Sequence, residues 1–339
     1  MLLDKFSPLK NDIIFVDGLW GTGKSLIGPI VSGMERVEKV KIEEIYEWVC
    51  IMQHLGKIGS DAASWLLKTH ADESQYNNLI GRGINLRWGD DSGFANNPNS
   101  FRYIKRMFGG EGDAKIAEIN DNNLALNIMS HMLMLVADPV FEAFGDRARV
   151  IEIVRHPLYM VKHWHAYLQR FDSPREFTVC FDHKGHKVPW FAVGWEDEFI
   201  EANTMDRALL SIVRLYAWLD DALTKADAKG NRIITLSFES LVMTPEEPLR
   251  QLESFLGRRH HPRLQSILKR QKMPRKTLSQ GRGHAAYGWS KDSVDSEEQV
   301  YAGNLEFVRA KGSSGNVDEL LKLIAQYNIK YPGVLAQYQ

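Results

Sequence analysis

Apolar residues in this chain fall into two kinds of run. Short unbroken runs bounded by turn residues read as buried strands, and longer runs with apolar positions three and four apart read as helices. The run "IIFVD" at 13–17 is of the first kind. A glycine-rich loop, 18–23, follows it, and a helix-compatible run extends from 24 to 34. The segment "VEKVKIEEIYEWV" reads as a strand turning into a helix, and Ser60-Asp61 gives a start signal for a helix over 60–70. Helical spacing predicts helices over 121–137 and 139–145. "ARVIEIVRHP" is a strand stopped at Pro157, with a helix over 158–170 behind it. Residues 172–200 hold a hairpin with its turn near Lys184-Gly185. Leu209, Leu210, Val213, Tyr216 and Leu223 mark a helix over 203–226, ended by Gly230. "RIITLSF" is the next strand, and helices follow at 245–256 and near 317–327.

Strands alternating with long helices require crossovers and therefore a parallel sheet covered on both faces. The expected fold class is α/β: three layers, α/β/α, around a mainly parallel sheet. One domain over 1–339 is expected, with a loop-rich insert at 81–113 that shapes a substrate pocket and a basic region at 258–290.

Composition narrows the function classes. An apolar fraction of 44% and a charged fraction of 25% are those of an ordinary globular chain. A formal net charge of −1 argues against a general nucleic-acid binder. Cys50 and Cys180 are too few for a disulfide framework and lack metal-ligand spacing. No basic stretch with an apolar core opens the chain, and no apolar run approaches the ~20 residues that span a bilayer. A cytoplasmic, reducing location and no membrane partner are expected.

The chemistry starts at the loop. Gly18 to Ser25 fit G-x-x-x-x-G-K-[ST] between a strand and a helix. Glycines let backbone N–H groups face inward, and the next helix adds unpaired N–H groups and its positive dipole end. Lys24 adds a point charge and Ser25 a hydroxyl. A kinase or NTPase would also hold Mg²⁺ on an acid at the end of another strand. Asp138 in "MLMLVAD" is the candidate, yet it precedes Pro139 in a helical-looking context. The two clearest later strands end instead in Arg155 and in Phe238-Glu239, and an arginine there points to a second anion.

"VIEIVRHPLYMVKHWHAY" resembles the 3′-phosphate-binding segment of sulfotransferases that use 3′-phosphoadenosine 5′-phosphosulfate (PAPS). Arg155 and Pro157 match an Arg-Asn-Pro strand end; His156 replaces the asparagine, and His163 stands where the family has a serine. "ITLSFESLVMTPEEPLRQLESFLG" and "GRGHAAYGW" are similar to two later family segments, with Arg282 and Gly283 nearest to an Arg-Lys-Gly loop that lacks its lysine here. The likeness is scattered over about 11–36 and 145–290. It implies a P-loop type fold and sulfuryl transfer from PAPS to a hydroxyl or amine of a small-molecule or glycan acceptor, with no metal required. It further implies that Gly21, Thr22, Gly23, Lys24 and Ser25 hold the 5′-phosphosulfate, with Lys24 stabilising transfer, and that Arg155, His163, Arg282 and Gly283 hold the 3′-phosphate. Family members have a basic residue where Gly21 stands and a threonine where Lys24 stands. That keeps an ATP- and Mg-dependent small-molecule kinase as the alternative.

The general base stays open between two residues. His70, in "LLKTH", resembles a Lys-Thr-His segment of cytosolic members, or is a surface histidine near a helix end. Glu43 and Glu44, after "VKI", stand near a glutamate used by glycan-modifying members, with Glu44 ranked level with His70, or are a charged helix start. Asp91, beside Asp90, ranks behind, as an acceptor ligand or a turn cap. Residues 258–282 hold nine Lys and Arg and no acid, either a solvated basic face or an anion-attracting lid. Trp20, Trp88, Trp164 and Trp289 are candidates for ring stacking or for plain core.

Overall fold

The computed structural model describes residues 1–87, 90, 92–97, 100–171, 173, 177–278, 296–333 and 335. Its first strand, β1 (Ile13–Asp17), is buried at every position. The chain then forms β2 (Lys41–Ile42), β3 (Leu126–Met129), β4 (Ala148–Val154), a hairpin of β5 (Cys180–His183) and β6 (His186–Pro189), and β7 (Ile233–Ser237). A five-stranded parallel sheet runs in the order β2-β3-β1-β4-β7. Six of the seven residues of β4 are buried, as befits a strand with helices on both faces.

Helices supply the crossovers. Before β3 come α1 (Lys24–Val31), α2 (Ile45–His54), α3 (Ser60–Leu79), α4 (Ser100–Arg106) and α5 (Asp113–Asp121). Then α6 (Asp138–Phe144), α7 (Pro157–Leu168), α8 (Glu196–Glu201) and α9 (Thr204–Ala228) lead to β7. After it follow α10 (Phe238–Met243), α11 (Glu246–Leu256), α12 (Leu264–Arg270), α13 (Glu297–Lys311) and α14 (Ser314–Lys330). None of the helices among the described residues is long and apolar enough to cross a membrane. The α/β class and the parallel sheet are as expected, and the hairpin turns at Lys184 and Gly185, both at positive φ.

One expected helix is absent. The run 121–137 divides into the end of α5, strand β3 and a short 3-10 helix at Leu133–Val136. β3 lies between β1 and β2, so all four of its residues are buried. A strand covered on both faces is apolar throughout, and periodicity then cannot separate it from a buried helix. The helix expected over 60–70 continues to Leu79.

The insert at 81–113 is partly helical and is pinned by Glu38, which is 2% exposed. Arg106 forks onto both Glu38 oxygens at 2.7 and 2.8 Å. Tyr103 donates to Glu38 at 3.0 Å while accepting from the Lys39 backbone N–H at 2.7 Å. Asn97 donates to the carbonyl of Ser32, the C-cap of α1, about 12 Å along that helix from the glycine loop. Tyr103→Phe is expected to leave the Lys39 N–H unpaired and cost about 1–3 kcal/mol in urea denaturation.

Candidate active site

The glycine loop joins β1 to α1 at the carboxyl end of the central strand, where ligands bind in open α/β sheets. Gly21 and Gly23 adopt φ values of 88° and 91°, which only glycine reaches without strain. A Cβ at Gly23 would overlap Cδ2 and Cε2 of Phe238. Thr22 is buried and its hydroxyl closes the loop onto the Leu19 carbonyl at 2.9 Å. Ser25 is exposed in the first turn of α1. Leu26 donates its N–H back to the Gly23 carbonyl at 2.9 Å, while the two N–H groups before it, of Lys24 and Ser25, have no partner within the helix and are the donors an anion would use.

Lys24 is 5% exposed and folds back over the loop, donating to the carbonyls of Gly18 and Leu19 at 2.8 and 3.0 Å. Burial lowers its pKa, while Asp17, Glu47 and Glu152 pull it back up. Asp17 ends β1 and is held by the Ser130 hydroxyl at 2.9 Å and the Met134 N–H at 2.7 Å. Glu152 pairs in register with Asp17 on the neighbouring strand, and both are fully buried. Burial first, and Asp17 second, push the Glu152 carboxyl well up. Glu47, on α2, accepts from the His131 N–H just past β3, and burial raises its pKa too.

Arg155 follows β4, and its Nη1 donates to the Gly21 carbonyl at 2.8 Å. Its guanidinium carbon lies 4.3 Å from the centroid of Phe238, the first residue of α10. His163, two turns into α7, packs under the same loop: a Cβ at Gly21 would stand 3.3 Å from its Cβ and Cγ. Three segments distant in sequence thus converge on Gly21 and Gly23. Arg282 and Gly283 lie outside the described residues, as do Trp88, Asp91 and Trp289.

The two candidate bases lie in different surroundings. His70 sits within α3, with Nε2 3.1 Å from Glu43 and its ring edge-on to Tyr46. Glu43 also holds Lys41 at 2.7 Å and accepts from the Ser74 hydroxyl at 2.8 Å; its pKa is depressed to about 2, because the contacts of His70 and Lys41 outweigh its burial. Glu44 is the N-cap of α2 and accepts the Trp48 N–H on its carbonyl. Its neighbour one turn on, Glu47, is the glutamate of α2 whose charge reaches Lys24. Sequence reading missed Glu47, although three residues after Glu44 is the same helix face.

Other candidates have structural partners. Asp90 caps its own turn, accepting from the Ser92 N–H at 3.0 Å. Trp164 is fully buried and donates to the Trp20 carbonyl at 2.9 Å, and Trp20 packs on Tyr167 with centroids 4.0 Å apart. In the basic region, Arg258 is 4% exposed and bonds Asp12 at 3.2 Å, so it belongs to the core rather than to a lid. Asp138 pairs with Lys229 at 2.8 Å, with its side chain 65% exposed. The surface hollow lined by His54, Trp218 and Lys225 includes no residue of the loop.

Among solved structures the chain is similar to the sulfotransferase domain from the curacin biosynthetic pathway, at 13% identity and a TM-score of 0.48 over 93% of this chain and 98% of that one. It is similar to the sulfotransferase domain of the Synechococcus PCC 7002 olefin synthase at 14% identity and a TM-score of 0.41, over 96% and 98% of the two chains. Mouse sulfotransferase SULT7A1 complexed with PAP gives 11% identity and a TM-score of 0.36, over 97% and 89%. No family model matches the chain, and no curated protein matches it.

Proposed function

We propose that the protein is a PAPS-dependent sulfotransferase that moves a sulfuryl group to a hydroxyl or amine of a small-molecule or glycan acceptor in the cytoplasm. The observation that carries this reading is the meeting of two anion cradles: Arg155 bonds the carbonyl of Gly21, and His163 packs beneath it. The residues fit such a nucleotide. The Arg155 Nε is buried with no partner, a donor set that an anion would complete. Gly21 to Ser25 hold the 5′-phosphosulfate through backbone N–H groups, and Arg155 and His163, with Arg282 and Gly283, hold the 3′-phosphate.

The bound nucleotide supplies the sulfuryl group. The chain's own residues hold the acceptor in line, offset developing charge with Lys24, and take the acceptor proton on Glu44 or His70. Glu47 joins that pair of candidates because its charge reaches Lys24. No metal is required, since PAPS lacks the β,γ-phosphate chelate that magnesium holds.

The kinase alternative needs an acid at the end of a strand beside β1. β3 ends in Met129 followed by Ser130, and Asp138 is engaged with Lys229 at the surface. Thermal denaturation decides between the readings. Adenosine 3′,5′-bisphosphate at a hundred times its dissociation constant is expected to stabilise by about 2.7 kcal/mol without magnesium, and AMP far less. Equal responses to the two nucleotides, or stabilisation by ATP only with magnesium, would overturn the sulfotransferase reading.

A further inference from the structure

The order of the sheet separates the two sides of the glycine loop. β4, with Arg155 behind it, lies on one side of β1, and β3 and β2 lie on the other. The proposed nucleotide extends from the loop toward Arg155, so an acceptor attacking in line comes from the side of β3 and β2. The groups gathered there are carboxylates and imidazoles. Met132, just past β3, donates to the Gly18 carbonyl at 3.2 Å, which sets His131 beside the loop. Burial and the charge of Lys24 hold His131 uncharged, at about 3. Glu47 is 9% exposed; one of its oxygens accepts the His131 N–H, and the other has no partner among the described residues. The cations on this side are engaged: Lys24 with the carbonyls of Gly18 and Leu19, and Lys41 with Glu43 and Ser74. His70 is turned to Glu43 as well. Glu44 differs. It is half-buried, and its carboxylate makes no hydrogen bond or ion pair among the described residues, while its charge reaches both Glu47 and His131.

We infer that the acceptor is a small amino alcohol: its protonated amine is held by the Glu44 carboxylate, with Glu47 beside it, and its hydroxyl is the group that is sulfonated. The inference rests on the proposed PAPS-dependent reaction and narrows its acceptor to a cationic class. An ammonium offers three charge-assisted donors, which the unmet oxygens of Glu44 and Glu47 can accept. Burial and Asp17 raise the Glu47 carboxyl, and the charge of Glu44 adds to this; a cation between the two offsets that repulsion. An anionic acceptor meets the same carboxylates with like charge and is excluded by them. The acceptor oxygen bonds to sulfur as the bond from sulfur to the 5′-phosphate oxygen breaks. The electron pair of that bond leaves with the bisphosphate, and the hydroxyl proton passes to His70 or Glu47. The ammonium keeps its protons throughout, so Glu44 acts on specificity rather than on proton transfer.

Initial rates with PAPS and three alcohols of one chain length, aminohexanol, hexanediol and hydroxyhexanoate, test this. The native protein is expected to favour aminohexanol over hexanediol by about tenfold or more in kcat/KM, and to use hydroxyhexanoate least. Glu44→Gln is expected to cut that preference to less than about threefold, with the loss in KM, and Glu44→Asp, which keeps the charge, to restore most of it. A native protein without the preference, or a glutamine variant that retains it, overturns the inference. So does a glutamine variant that loses kcat alike with all three alcohols, since Glu44 is then the proton acceptor. Equal losses in both variants with a lowered melting temperature make Glu44 a structural residue and overturn it too. Turnover of none of the three, with adenosine 3′,5′-bisphosphate still stabilising the fold, overturns this acceptor class and leaves the sulfotransferase reading standing. A native protein that does not respond to the bisphosphate removes both.

Discussion

Gly23→Ala is expected to abolish bisphosphate binding and to destabilise the fold by about 3 kcal/mol or more. Two costs act at one atom. The residue sits at φ 91°, ψ 16°, a left-handed conformation that costs an L-residue about 1–2 kcal/mol. Its new Cβ would also occupy the position of the Phe238 ring edge. That ring has little freedom, with guanidiniums 4.3 and 5.6 Å from its centroid and α10 starting at its own backbone. Gly23 is the N-cap of α1, so the shift passes to Lys24 and to the helix N–H groups. Gly21→Ala makes the comparison: its φ is similar, but its Cβ would stand 3.3 Å from His163, a contact that gives by a few tenths of an ångström. Urea denaturation and bisphosphate titration of both variants check this. Native-like binding by Gly23→Ala would show that the loop does not hold its anion on the backbone at this point.

Glu152→Gln is expected to stabilise the protein at neutral pH, by an amount that grows with pH. Glu152 and Asp17 are register partners on adjacent strands, both fully buried, with Lys24 as the cation between them and the loop. Ionised, Glu152 has no hydrogen-bond partner for either oxygen; protonated, it can donate to Asp17. Its folded pKa is raised above the unfolded value, close to 4.5. A group of that kind contributes stability below its unfolded pKa and loses it as pH rises toward the folded pKa. Glutamine keeps the shape and the donor and does not titrate. The variant should therefore match the native protein near pH 4 and gain as much as about 1.4 kcal/mol for each pH unit above that. Urea denaturation at several pH values between 4 and 8 measures the difference. A difference that stays flat would mean that Glu152 is ionised in the fold, with its charge fully met by Lys24.

The legible parts of this protein are local. The strand-loop-helix at 13–31, the strand at 148–154, the turn at Lys184-Gly185 and the long helix behind Asn203 are each written in a few consecutive residues. Asn203 caps that helix by accepting from Met205 and Asp206, as its residue type predicts. The helix expected over 121–137 failed where burial on both faces erased the alternation that marks a strand. Glu152 left a trace that could have been read: one carboxylate inside the otherwise apolar run "VIEIV".

By itself, the sequence determined a parallel α/β chain with a G-x-x-x-x-G-K-S loop after its first strand and an arginine at the end of a later one. Glycine spacing and apolar runs act on the backbone within a few residues, so they can be read in order along the chain. The tertiary structure alone decided that Arg155 touches Gly21 across 134 positions, that Phe238 lies against Gly23, and that the charge of Glu47 rather than that of Glu44 reaches Lys24. Those contacts depend on strand order and helix packing, and side chains that meet only after the sheet closes carry no shared spacing in sequence.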